Sequence, residues 1–289
     1  HLFHNHSWLL CVWYCLNFTI SVFDKMEQRK IFQQDLLPKY ECLLFDVDDT
    51  LYPLSSGLLE ECTRNIIEYM VQRLGIDEKE APGMNQFLYK SYGTSMAGLK
   101  AVGYDFDYDD YHSFVHGRLP YEKLHADFHL RTLLLSLPVR KVIFSNANKA
   151  HVAEVLKRLG LEGCFDEIIC FETLNQSDYA SGSAFAPTSI LCKPEEIAFE
   201  VALTKADINP RKTLFFDDSI RNIQAAKRVG LHTVWVGSSL HSEGVDFSLE
   251  SIHNLKEALP ELWQRDDFDK SENRNKNYRK MGVETSVVA

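Results

Sequence analysis

The chain has 289 residues and a formal net charge of -10, with 45% hydrophobic and 25% charged residues. That length carries one domain with an insert or two small domains, and the balance is that of a folded soluble protein, not a disordered or fibrous one. An acidic chain with no long basic run lacks the electrostatic footprint of a nucleic-acid binder, so an anionic ligand must be met by local charge.

Residues 1–25 open with His1, carry a mixed apolar run from Trp8 to Phe23, and give way at Met26 to an ordinary polar opening. The run is too short for a comfortable membrane span and has neither a basic leader nor a small-residue cleavage site. Met26 is therefore the expected native start, within an N-terminal extension covering 1–39, and no membrane association is expected. Cys11, Cys15, Cys42, Cys62, Cys164, Cys170 and Cys192 are odd in number and form no CxxC pair. They read as buried thiols of a reducing, cytoplasmic setting.

From residue 40, short apolar runs alternate with amphipathic stretches. Cys42 to Val47, Lys141 to Ser145, Glu167 to Phe171, Thr213 to Phe216 and His232 to Val236 read as buried strands, and Lys149 to Leu159 and Glu195 to Ala206 as helices. Buried strands separated by helices imply a parallel sheet, so the expected fold class is α/β, a doubly wound, Rossmann-like core over 40–56 and 121–263. The segment 57–120 shows only helical periodicity (Leu58, Cys62, Ile66, Tyr69, Met70) and is expected to be an all-helical insert after the first strand. Residues 264–289 are polar with no apolar periodicity and are expected to form a disordered tail.

The first strand runs into Phe45-Asp46-Val47-Asp48-Asp49-Thr50-Leu51-Tyr52. A strand period of two aims Asp46 and Asp48 to one side, at the carboxyl end where α/β sheets bind ligands. Clustered acidic side chains repel, and a bound cation relieves the repulsion. A second acidic pair, Asp217-Asp218, ends another strand; two such ends supply the hard oxygen ligands that magnesium prefers, although aspartates also serve simply as helix caps. Ser145-Asn146-Ala147-Asn148 brings a hydroxyl and backbone amides to a helix start, an anion seat, and Lys193 offers a positive charge for a phosphate oxygen. Each piece alone has a structural explanation, but their order relative to successive strands does not.

Asp46-Val47-Asp48-Asp49-Thr50, Ser145, Lys193 and Asp217-Asp218 resemble the four motifs of the haloacid dehalogenase superfamily, in order and with fitting separations, over residues 40 to 262. The helical insert resembles the small cap of the subfamily in which the cap follows strand one. Tyr89 to Thr94 and His116 to Tyr121 are similar to the pyrimidine 5'-nucleotidase-like branch and its plant relatives. The resemblance implies Asp46 as nucleophile and Asp48 as general acid and base. It implies Mg2+ held by Asp46, the Asp48 backbone carbonyl, Asp217 and Asp218, and a phosphoryl group bound by Thr50, Ser145, Asn146 and Lys193. Dehalogenases of the superfamily lack the second aspartate, so Asp48 points to phosphoryl transfer; the family's mutases generally carry Gly where Asp49 stands.

The expected activity is magnesium-dependent hydrolysis of a small phosphate monoester, a nucleoside 5'-monophosphate on the resemblance, through an aspartyl phosphate. Sugar or lysophospholipid phosphates are the alternative substrates, the latter predicting an apolar cap pocket, and a non-catalytic scaffold is the alternative of another class. Tyr52, Tyr92, Thr94 and Arg118 are candidates for substrate contact, with core packing the competing explanation for the tyrosines. His112 and His116 stand at a zinc-compatible i, i+4 spacing without the intervening Glu of metalloproteases, and packing is their expected role.

Overall fold

The computed structural model describes residues 39–175 and 189–263. The expected extension up to residue 38, including the Met26 boundary, and the expected tail from 264 lie outside the described residues.

In chain order the elements are β1 (Cys42–Phe45), α1 (Leu58–Gln72), α2 (Ala81–Tyr92), α3 (Ser95–Ala101), α4 (Tyr108–Val115), α5 (Phe128–Ser136), β2 (Arg140–Phe144), α6 (Lys149–Arg158), β3 (Glu167–Ile169), α7 (Phe171–Leu174), α8 (Glu196–Lys205), β4 (Thr213–Asp217), α9 (Ile220–Arg228), β5 (His232–Val236), β6 (Phe247–Leu249) and α10 (Leu255–Ala258). The strands form one six-stranded sheet in the order β3-β2-β1-β4-β5-β6, every neighbouring pair parallel. The α/β, Rossmann-like class read from the alternation of runs and helices is the class observed.

Strand alternation sends successive β1 side chains to opposite faces, and both faces are covered. Leu43 and Phe45 join Ile143, Leu214 and Phe216 in a core completed by α5 and α6. Cys42 and Leu44 join Val142, Phe144 and Phe215 in a second core completed by Phe199 of α8 and Ile223 of α9. The strand order runs 1-2-3 to one side of β1 and 4-5-6 to the other, so the topological switch point lies between β1 and β4, where open α/β sheets bind ligands.

Two strands stop earlier than their apolar runs. β1 ends at Phe45 because the chain turns: Thr50 and Leu51 N–H donate to the Val47 carbonyl, and Asp49 takes a φ of 58°. Asp48 therefore stands in a turn rather than on the strand. β3 ends at Ile169 and Phe171 opens α7. The edge strand β6, only three residues long, carries too little alternation to be read from sequence.

Between β1 and β2 the described elements are all helical, as the periodicity of 57–120 suggested. Asp107 and Thr94 cap α4 and α3 by accepting from the N–H of Asp110 and Ala97, and Pro82 sits in the first turn of α2. These helices share a core of Tyr69, Met70, Leu88, Leu99, Tyr111 and Val115, to which Phe171, Ile190 and Cys192 also belong. Where α2 ends, Gly93 has a φ of 87°, and a Cβ there would lie 2.6 Å from the Lys193 carbonyl oxygen. Only glycine permits both that conformation and that approach. Arg221 of α9 donates to the carbonyls of Tyr89 and Lys90 at 3.2 and 2.9 Å, a second tie between α2 and the sheet-bearing part. Among the described residues no helix is long and apolar enough to cross a membrane.

Candidate active site

The switch point places the end of β1 beside the end of β4. The Asp46 N–H continues the ladder by donating to the Phe216 carbonyl at 2.9 Å, which sets Asp46 level with Asp217. Lys193, 1% exposed, lies between them and uses all three of its hydrogens: Nζ donates to Asp46 Oδ1 at 2.8 Å, Asp217 Oδ2 at 2.7 Å and the Phe144 carbonyl at 2.9 Å. Burial alone would lower the lysine pKa, but the carboxylates of Asp217 and Asp46 push it well above the ordinary value. Lys193 is thus a fixed cation.

Its backbone is clamped by Asn146, whose Oδ1 accepts from the Lys193 N–H at 2.8 Å and whose Nδ2 donates to the Lys193 carbonyl at 3.0 Å. Asn146 also lines the cavity, and the second Nδ2 hydrogen is not used in this clamp. Ser145 is buried, and its Oγ accepts from the Ala147 N–H at 3.0 Å, leaving its hydrogen for a ligand. Thr50 Oγ1 donates to Asp46 Oδ2 at 3.3 Å and orients the second oxygen of that carboxylate.

Asp217 is fully buried, and its Oδ1 accepts from the Ser219 N–H at 2.8 Å and Asn222 Nδ2 at 3.0 Å. Asp46, Asp217 and Asp218 each offer a carboxylate oxygen, all within 4.8 Å of one another. Three carboxylates against one lysine is an excess of buried negative charge, and an all-oxygen donor set suits a hard divalent cation such as magnesium. The donor chemistry therefore fits the metal. Asp48 stands apart from this cluster by its side chain, so any share it takes in ligation falls to its backbone carbonyl. Asp49 Oδ1 is buried without a hydrogen-bond partner, and burial with repulsion from Asp48 raises its pKa to about 6.

Asp48 has its own partners. Its Oδ1 accepts from Tyr52 Oη at 2.6 Å and meets His151 Nε2 at 2.7 Å. Burial would raise its pKa, but the His151 ring and the hydrogen bonds from His151 and Tyr52 hold it well below the usual carboxylate range. Tyr121 Oη donates its one hydrogen to the His116 carbonyl at 3.0 Å, so toward His151 Nδ1, 2.8 Å away, it accepts. His151 Nδ1 then carries a hydrogen, and the Nε2–Oδ1 contact holds a further proton. His151, His116 and Tyr121 were not singled out as a network in the sequence because the contacts join residues 103 and 30 positions apart.

Of the four candidates for substrate contact, Tyr52 and Thr94 line the cavity described below, with Tyr52 engaged by Asp48 and Thr94 capping α3. Arg118 is turned away: it pairs with Glu68 at 2.7 Å and lies over the Phe114 ring. Tyr92 packs beside the helical core and does not line the cavity. His112 is buried, with neither ring nitrogen hydrogen-bonded, and its ring packs on Phe171 and His116, which matches the packing role expected of it. Burial lowers it to about 4 and lowers His116 to about 3.

The carboxylates open into a cavity of 780 Å³ between the helical segment and the strand ends. Its walls include Leu58, Ile66, Ile67, Met96, Val115 and Phe171.

Burial, opposed by Lys193 and reinforced by Asp217, raises Asp46 to about 7; burial with repulsion from Asp217, Asp46 and Asp49 raises Asp218 to about 8. Carboxylates whose folded pKa exceeds the unfolded value stabilise the fold when protonated and lose that contribution as pH rises through the folded value. His112 and His116 act in the opposite sense as pH rises through about 6.5 and fade by about pH 7.5, so between about pH 6.5 and 8.5 the acidic cluster outweighs them. In EDTA, unfolding free energy is expected to fall by ~2 kcal/mol across that window, and added magnesium to abolish the fall. Denaturant titrations at a series of pH values check this; a flat profile in EDTA would remove the excess negative charge from the account.

Comparison with known proteins gives a concordant picture. The family model described as haloacid dehalogenase-like hydrolase matches residues 40–230. Phosphate metabolism protein 8 of Saccharomyces cerevisiae is 28% identical over 206 residues, covering 67% of this chain; the match spans 60% of the yeast protein's length. Glyceraldehyde 3-phosphate phosphatase of Methanopyrus kandleri is 26% identical over 248 residues, 77% of this chain and 98% of that protein. A HAD phosphatase from Thermococcus onnurineus superposes with a TM-score of 0.50 at 18% identity, covering 75% of this chain and 96% of its own. CbbY from Rhodobacter sphaeroides, solved in complex with phosphate, also gives 0.50 at 18% identity, over 77% and 99%.

Proposed function

This chain belongs to the haloacid dehalogenase-like hydrolases, and we propose that it is a magnesium-dependent phosphatase of a small phosphate monoester that works through an aspartyl phosphate on Asp46. The observation that carries the proposal is the buried Asp46–Lys193–Asp217 set at the β1/β4 switch point, with Asp48 two residues beyond Asp46. The names of the Methanopyrus and Thermococcus relatives agree with phosphatase chemistry.

Asp46 attacks phosphorus, forming an oxygen–phosphorus bond as the bond to the leaving oxygen breaks, and Asp48 passes a proton to that oxygen from its protonated form, the minor form in the resting site because His151 and Tyr52 favour the anion. In the second half, water attacks the aspartyl phosphate, gives a proton to Asp48, and the bond from phosphorus to Asp46 breaks. Lys193 neutralises charge on the transferring group without leaving its place, and the Ser145 hydroxyl is free to donate to it. A magnesium ion held by Asp46, Asp217, Asp218 and the Asp48 carbonyl would supply further neutralisation of developing negative charge. Segment 57–120 serves as a cap that excludes water, with 40–56 and 121–263 as the catalytic core.

A nucleoside 5'-monophosphate is the leading substrate, on the resemblance to the pyrimidine 5'-nucleotidase-like branch. The apolar walls of the 780 Å³ cavity favour a second reading, a lysophospholipid phosphate whose chain those walls would cover. The five described cysteines are free thiols, in keeping with the cytoplasmic setting we assign. Phosphate release from nucleoside monophosphates, sugar phosphates and lysophosphatidate, each with magnesium or EDTA, tests the reading. Metal-dependent release supports it, with kcat/KM ranking the substrate classes; no release from any of them would favour the non-catalytic scaffold.

A further inference from the structure

The acid of the proposed reaction, Asp48, sits in a turn, and a carboxyl in a turn does not hold one orientation by itself. We propose that His151 is a positioning residue for Asp48, fixing Oδ1 so that Oδ2 is the oxygen presented to the leaving group. The inference rests on the phosphatase reading, with Asp48 as its acid.

Three observations carry it. Both hydrogen bonds to Asp48 go to Oδ1, from Tyr52 at 2.6 Å and at the His151 contact of 2.7 Å, while no described residue donates to Oδ2. The Asp48 side chain is 37% exposed and lines the cavity, so the open part of this carboxyl faces the space a substrate would fill. His151 is 3% exposed and is itself braced from behind: Nδ1 is 2.8 Å from Tyr121 Oη, whose hydrogen is committed to the His116 carbonyl. The turn after β1, the end of the helical segment and α6 thus converge on one imidazole.

Proton transfer by a placed side chain contributes about 10²–10⁴-fold, and a displacement of about 1 Å can cost ~10²-fold, so losing the brace is expected to remove most of the acid's contribution. The signature is selective. A p-nitrophenolate leaves with little need of a proton, whereas an alkoxide needs one, and kcat/KM reports only the steps up to release of the alcohol. We compare p-nitrophenyl phosphate with benzyl phosphate, which are similar in bulk, for wild type, His151→Leu and His151→Gln, with magnesium throughout. His151→Leu is expected to lose ~10²-fold in kcat/KM on benzyl phosphate and less than ~5-fold on p-nitrophenyl phosphate; His151→Gln, whose amide can still donate to Asp48, is expected to recover most of the loss. Equal losses on both substrates, or no loss, would overturn the proposal. If His151→Leu does not fold, Tyr121→Phe decides, since it removes one oxygen: a ~3- to 10-fold shift of the same ratio supports the brace, and an unchanged ratio overturns it. A wild type that releases phosphate from neither of these nor from any of the nucleotides, sugar phosphates and lysophosphatidate named above would instead sink the phosphatase reading itself.

Discussion

Asp46→Asn is expected to lower phosphate release by ~10⁵-fold or more, because a neutral amide cannot form the aspartyl phosphate on which both half-reactions depend. The fold should survive the change. Asn keeps the shape of Asp46, can accept from Lys193 through its oxygen while its NH2 faces the Thr50 hydroxyl, and leaves Lys193 paired with Asp217 at 2.7 Å. Burial already disfavours the charged form of Asp46 and raises it to about 7, so in EDTA above that pH the variant should melt no lower than wild type. Loss of turnover without loss of stability is the expected pair of results, measured by phosphate release and thermal melting on the same preparation. A variant that unfolds would point to a structural role, and one that turns over normally would remove Asp46 as nucleophile.

Lys193→Met is expected to fail in both respects. The thioether fills the space between Phe144 and Phe215, over whose rings Nζ now lies at 5.1 and 5.3 Å, but it leaves Asp46 and Asp217 facing each other without their shared cation. Removing one partner of a buried ion pair costs about 3–5 kcal/mol, because the uncompensated charge remains behind. Turnover should fall by ~10³-fold or more, as the transferring phosphoryl group loses its fixed positive neighbour. The two effects separate by metal: magnesium should raise the melting temperature of Lys193→Met more than that of wild type, since the ion then supplies the only positive charge in the cluster, yet activity should stay low. A variant that magnesium returns to full activity would show that the lysine acts only through charge balance.

The parts of this site that could be read in the sequence are those the backbone itself positions. Asp46 and Asp217 end buried apolar runs, and a parallel sheet with its switch point between those runs brings them together wherever the helices fall. Lys193 and Ser145 were legible for the same reason, each following a short apolar stretch. The residues that escaped notice are held by side chains from distant segments. Nothing in the spacing of Asp48, Tyr121 and His151 foretells that an imidazole from α6 meets a carboxyl in the turn after β1. Asn146 shows the converse, a residue in a legible motif whose amide turns inward to hold the Lys193 backbone. Arg118 was expected in the cavity on charge alone, and an ion pair with Glu68 and a ring face on Phe114 hold it outside. The turn at Val47 to Leu51 is the instructive case: strand periodicity aimed Asp48 and Asp46 to one side, but the left-handed Asp49 ends the strand and gives Asp48 a separate environment. That separation leaves one carboxyl bonded to Lys193 and its near neighbour bonded to His151 and Tyr52, as two different tasks require.

The most direct test of the central claim is to catch the covalent intermediate. The protein is mixed with magnesium and a radiolabelled phosphate monoester on which it turns over, quenched in acid during turnover, and digested for peptide mapping. Label is expected on the peptide bearing Asp46, lost on treatment with hydroxylamine as an acyl phosphate is, and absent from Asp46→Asn. Label on another residue, or phosphate released by a wild type that retains no label at any quench time, would contradict it.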